Sequence, residues 1–461
     1  MSDAALEAVI DHALSTEWTH VDEAAREASR RFLADTLAVG VAGSVEPSAH
    51  RVRRAAAGWG SASEARILGH DDLVPVTSAA FVNAFQIHCQ EFDCLHEPAT
   101  VHAMAVLGGV LTALAHRERL SVRQALMATV TGVDVAAGLG LSATRGLSFF
   151  RPATAGAMGS GAALGACLGL SATEIRDLMG LIHSQLAGTM QAHVEGSEAL
   201  PIQIAAAARA VLTALDLVRA GLTGPHHSMT GPFGYFALFE PGGDPSILMN
   251  QLSRGHRVAE LSHKPFPTGR AAHAILDGIQ RLRATHALDL SSVERIQARV
   301  PPLIARLVQR PAHAEMGSNH ARLCIGFLSA AMLRDGQIDR STFTDNNRSD
   351  PDLLAMAERV HVEIDDNPNP NALSPQQMEI LTRDGSRLAI DMPHTLGSPA
   401  NPLTYKQQTE KIARCFEEAR QDTNTVRIEP GQLLALDEDL PLSQVMEDLR
   451  IERDWDDSAD R

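Results

Sequence analysis

The sequence predicts a mainly α-helical protein whose helical chain is interrupted by a mixed α+β unit of about a hundred residues. Apolar residues recur with the helical period through most of the first part of the chain, up to about residue 290. Beyond that point apolar and polar residues alternate with period two, as they do in strands. A capping box, Thr404-x-x-Gln407, then opens another helix toward the end of the chain.

The helical elements can be followed in order through the first part of the chain. Residues 1–60 have helical periodicity, whereas residues 61–75 predict a loop or short strand-like pieces. Two capping boxes and two apolar stretches predict further helices: Ser121-x-x-Gln124, Ser171-x-x-Glu174, Ala153–Thr173 and Pro201–Gly221. The Ala153–Thr173 stretch nearly has the length of a membrane span, but its Ala, Gly and Ser residues favour a close-packed interior helix.

The α+β unit has its strand pattern in VERIQARVPPL, RVHVEID and MEILTRDGSRLAIDMP. The last of these contains Asp384-Gly385, a strong hairpin signal, and a helical run from Ala321 to Arg334 lies between the strands. These changes of pattern predict a first helical part over residues 1–265, the α+β unit over 266–395 and a second helical part over 396–461.

Composition limits the classes of function. The 461 residues include 40 basic and 56 acidic side chains, and this acidic balance without a basic stripe argues against a nucleic-acid partner. The five cysteines lack CxxC spacing, which predicts free thiols in a reducing compartment. The N-terminal stretch is acidic and helical rather than signal-like, so we expect a cytoplasmic protein that is not inserted in a membrane.

Titratable residues concentrate in residues 83–104, between two apolar segments. The cluster consists of His88, Glu91, Asp93, His96, Glu97 and His102. Such groups are costly to bury unless they are paired or used, although a solvated loop between two helices is the simpler alternative. Asp93, His96 and His102 could converge on a metal, but their spacing is not that of a zinc motif, and we expect no metal.

Three further places are candidates for binding a carboxylate. Lys264, Arg270 and His273 lie where a proline-rich segment enters a helix, and the alternative is a set of surface charges at a helix start. Arg151 opens the small-residue helix, where a cation needs either an anionic ligand or an acidic partner. Gln191 and His193 precede the next Ala-rich helix, although a lone histidine is more often structural.

Several of these stretches together resemble the MmgE/PrpD family over most of the chain. The family's N-x-x-x-x-H-x-x-D-F-D-D-T-H segment corresponds to the residues from Asn83 to His96, followed by His102. Its K-P-Y-P-x-x-R-x-x-H segment corresponds to Lys264 through His273. The link LTGP and the segment NPLTYKQQTEK also match.

The resemblance implies a large all-α domain formed by both chain ends, with a smaller α+β lid domain inserted. It also implies a homodimer, no metal or organic cofactor, and a small di- or tricarboxylic acid as substrate. Departures from the family pattern are Cys94, Leu95, Leu200, Gln203, Arg151-Pro152 and Phe327. The shell that contacts substrate therefore differs from that of the family's dehydratases and decarboxylases.

We therefore expect a cofactor-free lyase, either a dehydratase or a decarboxylase, that moves a proton next to a carboxylate. His102 is the expected acid/base, and Asp93 and Glu91 either orient His96 or His102 or act as the partner base. Lys264, Arg270 and Arg151 are the cations expected to stabilise the developing negative charge. The alternatives are an epimerase or isomerase of a small dicarboxylate on the same scaffold, and a degenerate homologue that binds carboxylates without catalysis.

Overall fold

The computed structural model describes residues 3–369, 371–420 and 426–451. Helices dominate the part before residue 290, together with a pair of two-residue antiparallel strands, β1 (Ala65–Arg66) and β2 (Leu73–Val74). The helices are α1 (Ala4–Ser15), α2 (Glu23–Gly43), α3 (Pro47–Ala56), α4 (Val76–His88), α5 (Ala103–Arg117), α6 (Val122–Leu141), α7 (Arg151–Leu168), α8 (Ala172–His183), α9 (Gln191–Glu195), α10 (Ala199–Arg219), α11 (Tyr235–Leu238), α12 (Pro245–Leu252) and α13 (His273–Thr285).

The following part of the chain is mixed, and the chain then returns to helices. It contains β3 (Val293–Val300), α14 (Pro302–Val308), α15 (Ser318–Arg322), α16 (Ile325–Asp335), α17 (Asp345–Arg348), α18 (Pro351–Ala357), β4 (Val360–Ile364), β5 (Gln376–Thr382) and β6 (Arg387–Met392). The strands form one sheet in the order β4-β3-β5-β6, with β3 parallel to β4 and antiparallel to β5. The last helices are α19 (Tyr405–Ala419), α20 (Pro430–Leu434) and α21 (Leu442–Asp448). The mainly α fold with a mixed insertion is thus confirmed.

The predicted local signals are confirmed at most positions. All three capping boxes form, at Ser121, Ser171 and Thr404. The β5–β6 hairpin turns at Gly385, whose φ of 88° suits glycine. The single helix predicted over residues 321–334 is instead broken between α15 and α16. The break lies directly after Arg322. The buried guanidinium of Arg322 donates hydrogen bonds to the carbonyl oxygens of Gln90 and Pro267, which are distant in sequence.

The small-residue helix α7 lies in the interior, as its composition predicts. A Cβ atom added to Gly159 would lie 2.4 Å from the carbonyl oxygen of Gly132 on α6, so only glycine permits this close approach. Helices α6 and α10 are long and apolar enough to cross a membrane by length and composition alone. Most of α6 is buried against its neighbours, and buried core helices pass the same test.

Two hydrophobic cores organise the described chain. One takes side chains from residues 5–261 together with the C-terminal helices α19–α21 and Leu323, and the other takes side chains from residues 266–392. Both chain ends therefore contribute to the first core. The domain limits at residues 265 and 395 stay predictions.

A buried ion pair fastens α19 to the rest of the protein. Lys411 Nζ lies 2.6 Å from Asp35 Oδ1 on α2 and donates a hydrogen bond of 3.0 Å to the carbonyl oxygen of Phe92. Both charged side chains are almost fully buried. Since breaking a buried pair leaves one charge without compensation, this pair holds three distant segments together.

We predict that Lys411→Met lowers the free energy of unfolding by about 3–5 kcal/mol, because Asp35 is left buried without its cation. The matched control is Lys406→Met, on the same helix, whose exposed pair with Glu410 contributes less than about 1 kcal/mol. Urea denaturation followed by circular dichroism measures both variants. Equal effects of the two substitutions would contradict the assigned role of the buried pair.

Candidate active site

The site is built on the loop that joins α4 to α5. Helix α4 ends at His88, and His102 occupies the N-cap position of α5. Two non-glycine residues of the loop, Glu91 and Thr100, have a φ of 53°. Such left-handed conformations are uncommon for these residue types and persist only where the surroundings hold them in place.

Three buried cations hold this loop by its backbone. The carbonyl groups of residues 90, 91 and 92 accept hydrogen bonds from Arg322 Nη1, Lys264 Nζ and Lys411 Nζ at 3.1, 3.0 and 3.0 Å. The cations come from the inserted unit, from the segment before α13 and from α19. Each one also pairs with a carboxylate: Arg322–Glu46 at 3.2 Å, Lys264–Glu91 at 2.8 Å and Lys411–Asp35 at 2.6 Å.

Asp93 follows these carbonyl groups directly and binds two histidines. Its Oδ1 lies 3.0 Å from Nδ1 of His88 and its Oδ2 lies 2.8 Å from Nδ1 of His102. A carboxylate accepts hydrogen bonds, so both rings carry a proton on Nδ1. For His102, Nε2 is then the nitrogen left for a ligand. The His88 Nε2 atom is buried without a hydrogen-bond partner, 3.6 Å from Glu91 Oε1.

Burial and charge set the two histidines apart. Burial raises the pKa of Asp93, but His102 and His88 outweigh it and hold this pKa well below its usual range. Burial lowers the pKa of His102, with Asp93 offsetting this only in part. The pKa of His88 is raised instead, because Asp93 and Glu91 outweigh the effect of burial. The cluster thus combines an ionised Asp93, a His88 that favours its charged form and a His102 that favours its neutral form.

The three residues also resemble a metal-ligand set. Ligand atoms of His88, Asp93 and His102 all lie within 4.8 Å of one another. His96, which the sequence suggested for such a set, lies elsewhere. However, the Nδ1 atoms of both histidines form hydrogen bonds with the Asp93 carboxylate, and these two bonds account for the arrangement of the three residues. The expectation of a metal-free site stays a prediction.

His102 opens onto a narrow cavity of about 60 Å³ between the two cores. Four predicted site residues line it: Glu91, His102, His193 and Arg270. Burial, followed by the nearby charge of Arg310, lowers the pKa of His193 to about 4. Burial raises the pKa of Glu91, but Lys264, His88 and His102 together outweigh it and lower this pKa to about 2. The remaining lining consists of Leu95, Thr100, Leu147, Phe150, Pro152, Met190, Gly269, Ala271, Leu307, Val308, Leu323 and Leu373.

The predicted cations are all paired within the protein. Lys264 is fully buried and contacts Glu91 rather than the cavity. Arg270 lines the cavity, but its guanidinium contacts Glu97 at 2.7 Å and several carbonyl oxygens. Arg151 makes a two-pronged contact with Glu240 through Nε and Nη2, at 2.6 and 3.2 Å. Of the two roles left open for Arg151, the structure shows the acidic partner.

Three other predicted residues are not brought to the cavity lining. His96 Nε2 lies 3.0 Å from Glu260, and its Nδ1 accepts the backbone N–H of Ala99. His273 begins α13 and is fully buried, with Nε2 3.2 Å from the carbonyl oxygen of Thr268. Gln191 is exposed and bonds Glu195 on its own short helix.

Two residues of interest lie outside the predicted set. His88 is the second imidazole on Asp93. Its signals in the sequence are its place in the titratable stretch and its match to the first histidine of the family segment that begins at Asn83. Arg310 follows α14, whose Leu307 and Val308 line the cavity. Its Nη1 is buried without a hydrogen-bond partner. Only the tertiary fold brings this arginine near the loop, so sequence spacing gives no sign of it.

A helical fold with a histidine–carboxylate pair beside a narrow cavity suits an enzyme that transfers protons, and comparison with known proteins agrees. The MmgE/PrpD N-terminal domain model matches residues 7–248, and the MmgE/PrpD C-terminal domain model matches residues 266–429. The chain therefore belongs to the MmgE/PrpD family, and it is an enzyme of the lyase type.

Two similar proteins are named as cis-aconitate decarboxylases, and a third is named as a protein like them. The cis-aconitate decarboxylase of Homo sapiens is 28% identical over 412 residues, covering 85% of this chain and 84% of the relative. That of Mus musculus is 27% identical over 417 residues, covering 85% and 83%. The cis-aconitate decarboxylase-like protein oryM of Aspergillus oryzae is 22% identical over 413 residues, covering 84% and 85%.

We predict that Asp93→Asn shifts the titrations of both His88 and His102 to lower pH, because the negative charge that raises both pKa values is removed. Nuclear magnetic resonance of ring-labelled histidines measures this without any substrate. In the unaltered protein, His102 should lose its proton at a lower pH than His88.

The matched control is Asp134→Asn. Asp134 is likewise buried between two histidines, His12 at 3.2 Å and His256 at 2.8 Å, but it lies outside the cavity. This control should lower the pKa of His256 and leave His88 and His102 unchanged. Unchanged His88 and His102 titrations in Asp93→Asn would refute the triad.

Proposed function

We propose that this enzyme is a dehydratase or decarboxylase of a small di- or tricarboxylic acid, with His102 as the residue that carries the proton. The observation that carries the proposal is the bond from Asp93 Oδ2 to His102 Nδ1. This bond fixes the ring orientation and tautomer, and it leaves Nε2 for the substrate in the cavity. A carboxylate that orients an acid/base histidine is a recurrent arrangement in proton-transfer enzymes.

The lowered pKa of His102 favours its use as a base at neutral pH. In a dehydration, Nε2 takes the proton from the carbon next to a carboxylate, the electron pair forms the double bond, and the hydroxyl group leaves as water with a proton. In a decarboxylation, the electron pair released with CO₂ takes a proton from Nε2, so His102 must first gain that proton from solvent and react in its charged form. The named relatives favour the second reaction.

The developing negative charge needs stabilisation from the protein. Arg270 is the predicted cation that lines the cavity, and we assign it this role. Lys264 acts through Glu91, whose carboxylate it holds at the cavity wall. The two cations therefore differ in role, because Arg270 lines the cavity directly whereas Lys264 acts only through Glu91.

The cavity also bears on how substrate enters. A volume of about 60 Å³ suits a few water molecules rather than a dicarboxylic acid. We therefore propose that the inserted unit acts as a lid, which opens for binding and closes to exclude water. Assembly as a homodimer in the cytoplasm, without metal or organic cofactor, completes the proposal.

We predict that His102→Ala leaves the fold intact and lowers turnover by about 10²–10⁴-fold, the usual contribution of a positioned acid/base residue. The matched control is His116→Ala, which removes a histidine from the other end of α5 and should retain activity. Turnover is measured by release of CO₂ or by formation of an unsaturated acid, over a panel of carboxylic acids.

The pH profile provides a second reading. In a dehydration Nε2 must be free to accept a proton, so activity should fall as pH drops through the pKa of His102, which lies below the ordinary histidine value of about 6.5. In a decarboxylation Nε2 must carry a proton, so activity should instead fall as pH rises through that pKa. Full turnover in His102→Ala would eliminate this residue as the proton carrier. Binding of carboxylic acids without turnover of any of them would instead indicate a non-catalytic homologue.

A further inference from the structure

The cavity beside His102 has an apolar lining. Eleven of the sixteen residues that line it have no polar side-chain atom. They are Leu95, Leu147, Phe150, Pro152, Met190, Gly269, Ala271, Leu307, Val308, Leu323 and Leu373. Leu95 stands where the family pattern has threonine. An apolar wall gives no hydrogen bond to a carboxylate, but it gains free energy from burying hydrocarbon.

The charges around the cavity are already compensated. Arg270 pairs with Glu97, and Lys264 pairs with Glu91 at the wall. The lowered pKa of His193 keeps that ring neutral near pH 7. An acid with three carboxylates would therefore bring several negative charges to cations that already pair with carboxylates of the protein. Burying negative charges without a cation of their own is unfavourable.

Two cations at one edge of the cavity are different. Arg310 makes no ion pair among the described residues, and its Nη2 donates to the carbonyl oxygen of Leu307 at 3.1 Å while Nη1 has no partner. Arg306, one helical turn earlier, donates to the carbonyl oxygen of Leu147 at 2.6 Å and is likewise without an ion pair in the described chain. Neither arginine lines the cavity itself, but each bonds the backbone of a residue that does, and both lower the pKa of His193 in the lining.

We propose that the substrate is a dicarboxylic acid bearing an alkyl substituent, bound with one carboxylate at Arg310 and with its alkyl group against the apolar lining. The other carboxylate is the reacting one, beside His102. This inference rests on the proposed function and narrows its substrate class. It also distinguishes this chain from an enzyme adapted to an unsubstituted tricarboxylic acid.

The test is a binding series measured by titration calorimetry with the full chain. The ligands are succinate, 2-methyl-, 2-ethyl- and 2-butylsuccinate, citrate and cis-aconitate. We expect affinity to rise about fourfold for each methylene that the lining buries, and 2-butylsuccinate to bind more tightly than either tricarboxylate. Arg310→Met should weaken all of the succinates by a similar factor and preserve the gain per methylene.

Leu307→Asn places a polar group of similar size in the lining and should reduce the gain per methylene. Its matched control is Leu354→Asn, a half-buried leucine that packs on the same second core outside the cavity, which should keep the gain. If succinate and the tricarboxylates bind but alkyl groups add nothing, the alkyl inference is wrong and the proposed function stands. If none of the acids binds, both are wrong.

Discussion

The structure depends on how the loop between α4 and α5 is held. Its carbonyl groups at residues 90–92 each accept a hydrogen bond from a buried cation, and each cation is neutralised by a carboxylate. The cations are Arg322, Lys264 and Lys411, from three separate parts of the chain. A buried carbonyl without a partner is costly, and a buried cation without a partner is more costly still. Folding of the loop therefore requires all three parts to be in place.

The position of Asp93 is determined by the hydrogen bonds to the three carbonyl groups that precede it. Asp93 follows the third carbonyl group directly, so the backbone that carries its carboxylate cannot move without breaking buried hydrogen bonds. The carboxylate in turn fixes the rings of His88 and His102. Catalytic groups need such support, because a small misplacement of an acid/base residue lowers the rate substantially. The buried charges of this loop thus support the carboxylate that orients His102, the residue that we propose as the acid/base.

The amino-acid sequence was sufficient to predict the fold class and several local elements. Capping at Ser121, Ser171 and Thr404 and the turn at Gly385 depend on local chemistry, which adjacent residues determine. The titratable stretch was recognisable because charged groups between apolar segments need partners.

What the sequence did not predict is how the charges pair. Arg151, with Glu240, and Arg270, with Glu97, found their partners 89 and 173 residues away. Such distances are set by tertiary packing, which has no local signal. The same reason explains why His88 was overlooked in favour of His96. His96 is nearer to Asp93 in sequence, but the end of α4 places His88 within hydrogen-bond distance of Asp93.

The central claim is that residues 83–104 and 262–273 form one site that closes on a carboxylic acid. Hydrogen–deuterium exchange with and without a bound dicarboxylate tests this most directly, because it reads both stretches in the same sample. The account predicts slower exchange in both stretches together, since closure excludes water from the shared cavity. Protection of one stretch alone would contradict a shared site and would leave the inserted unit with a structural role only.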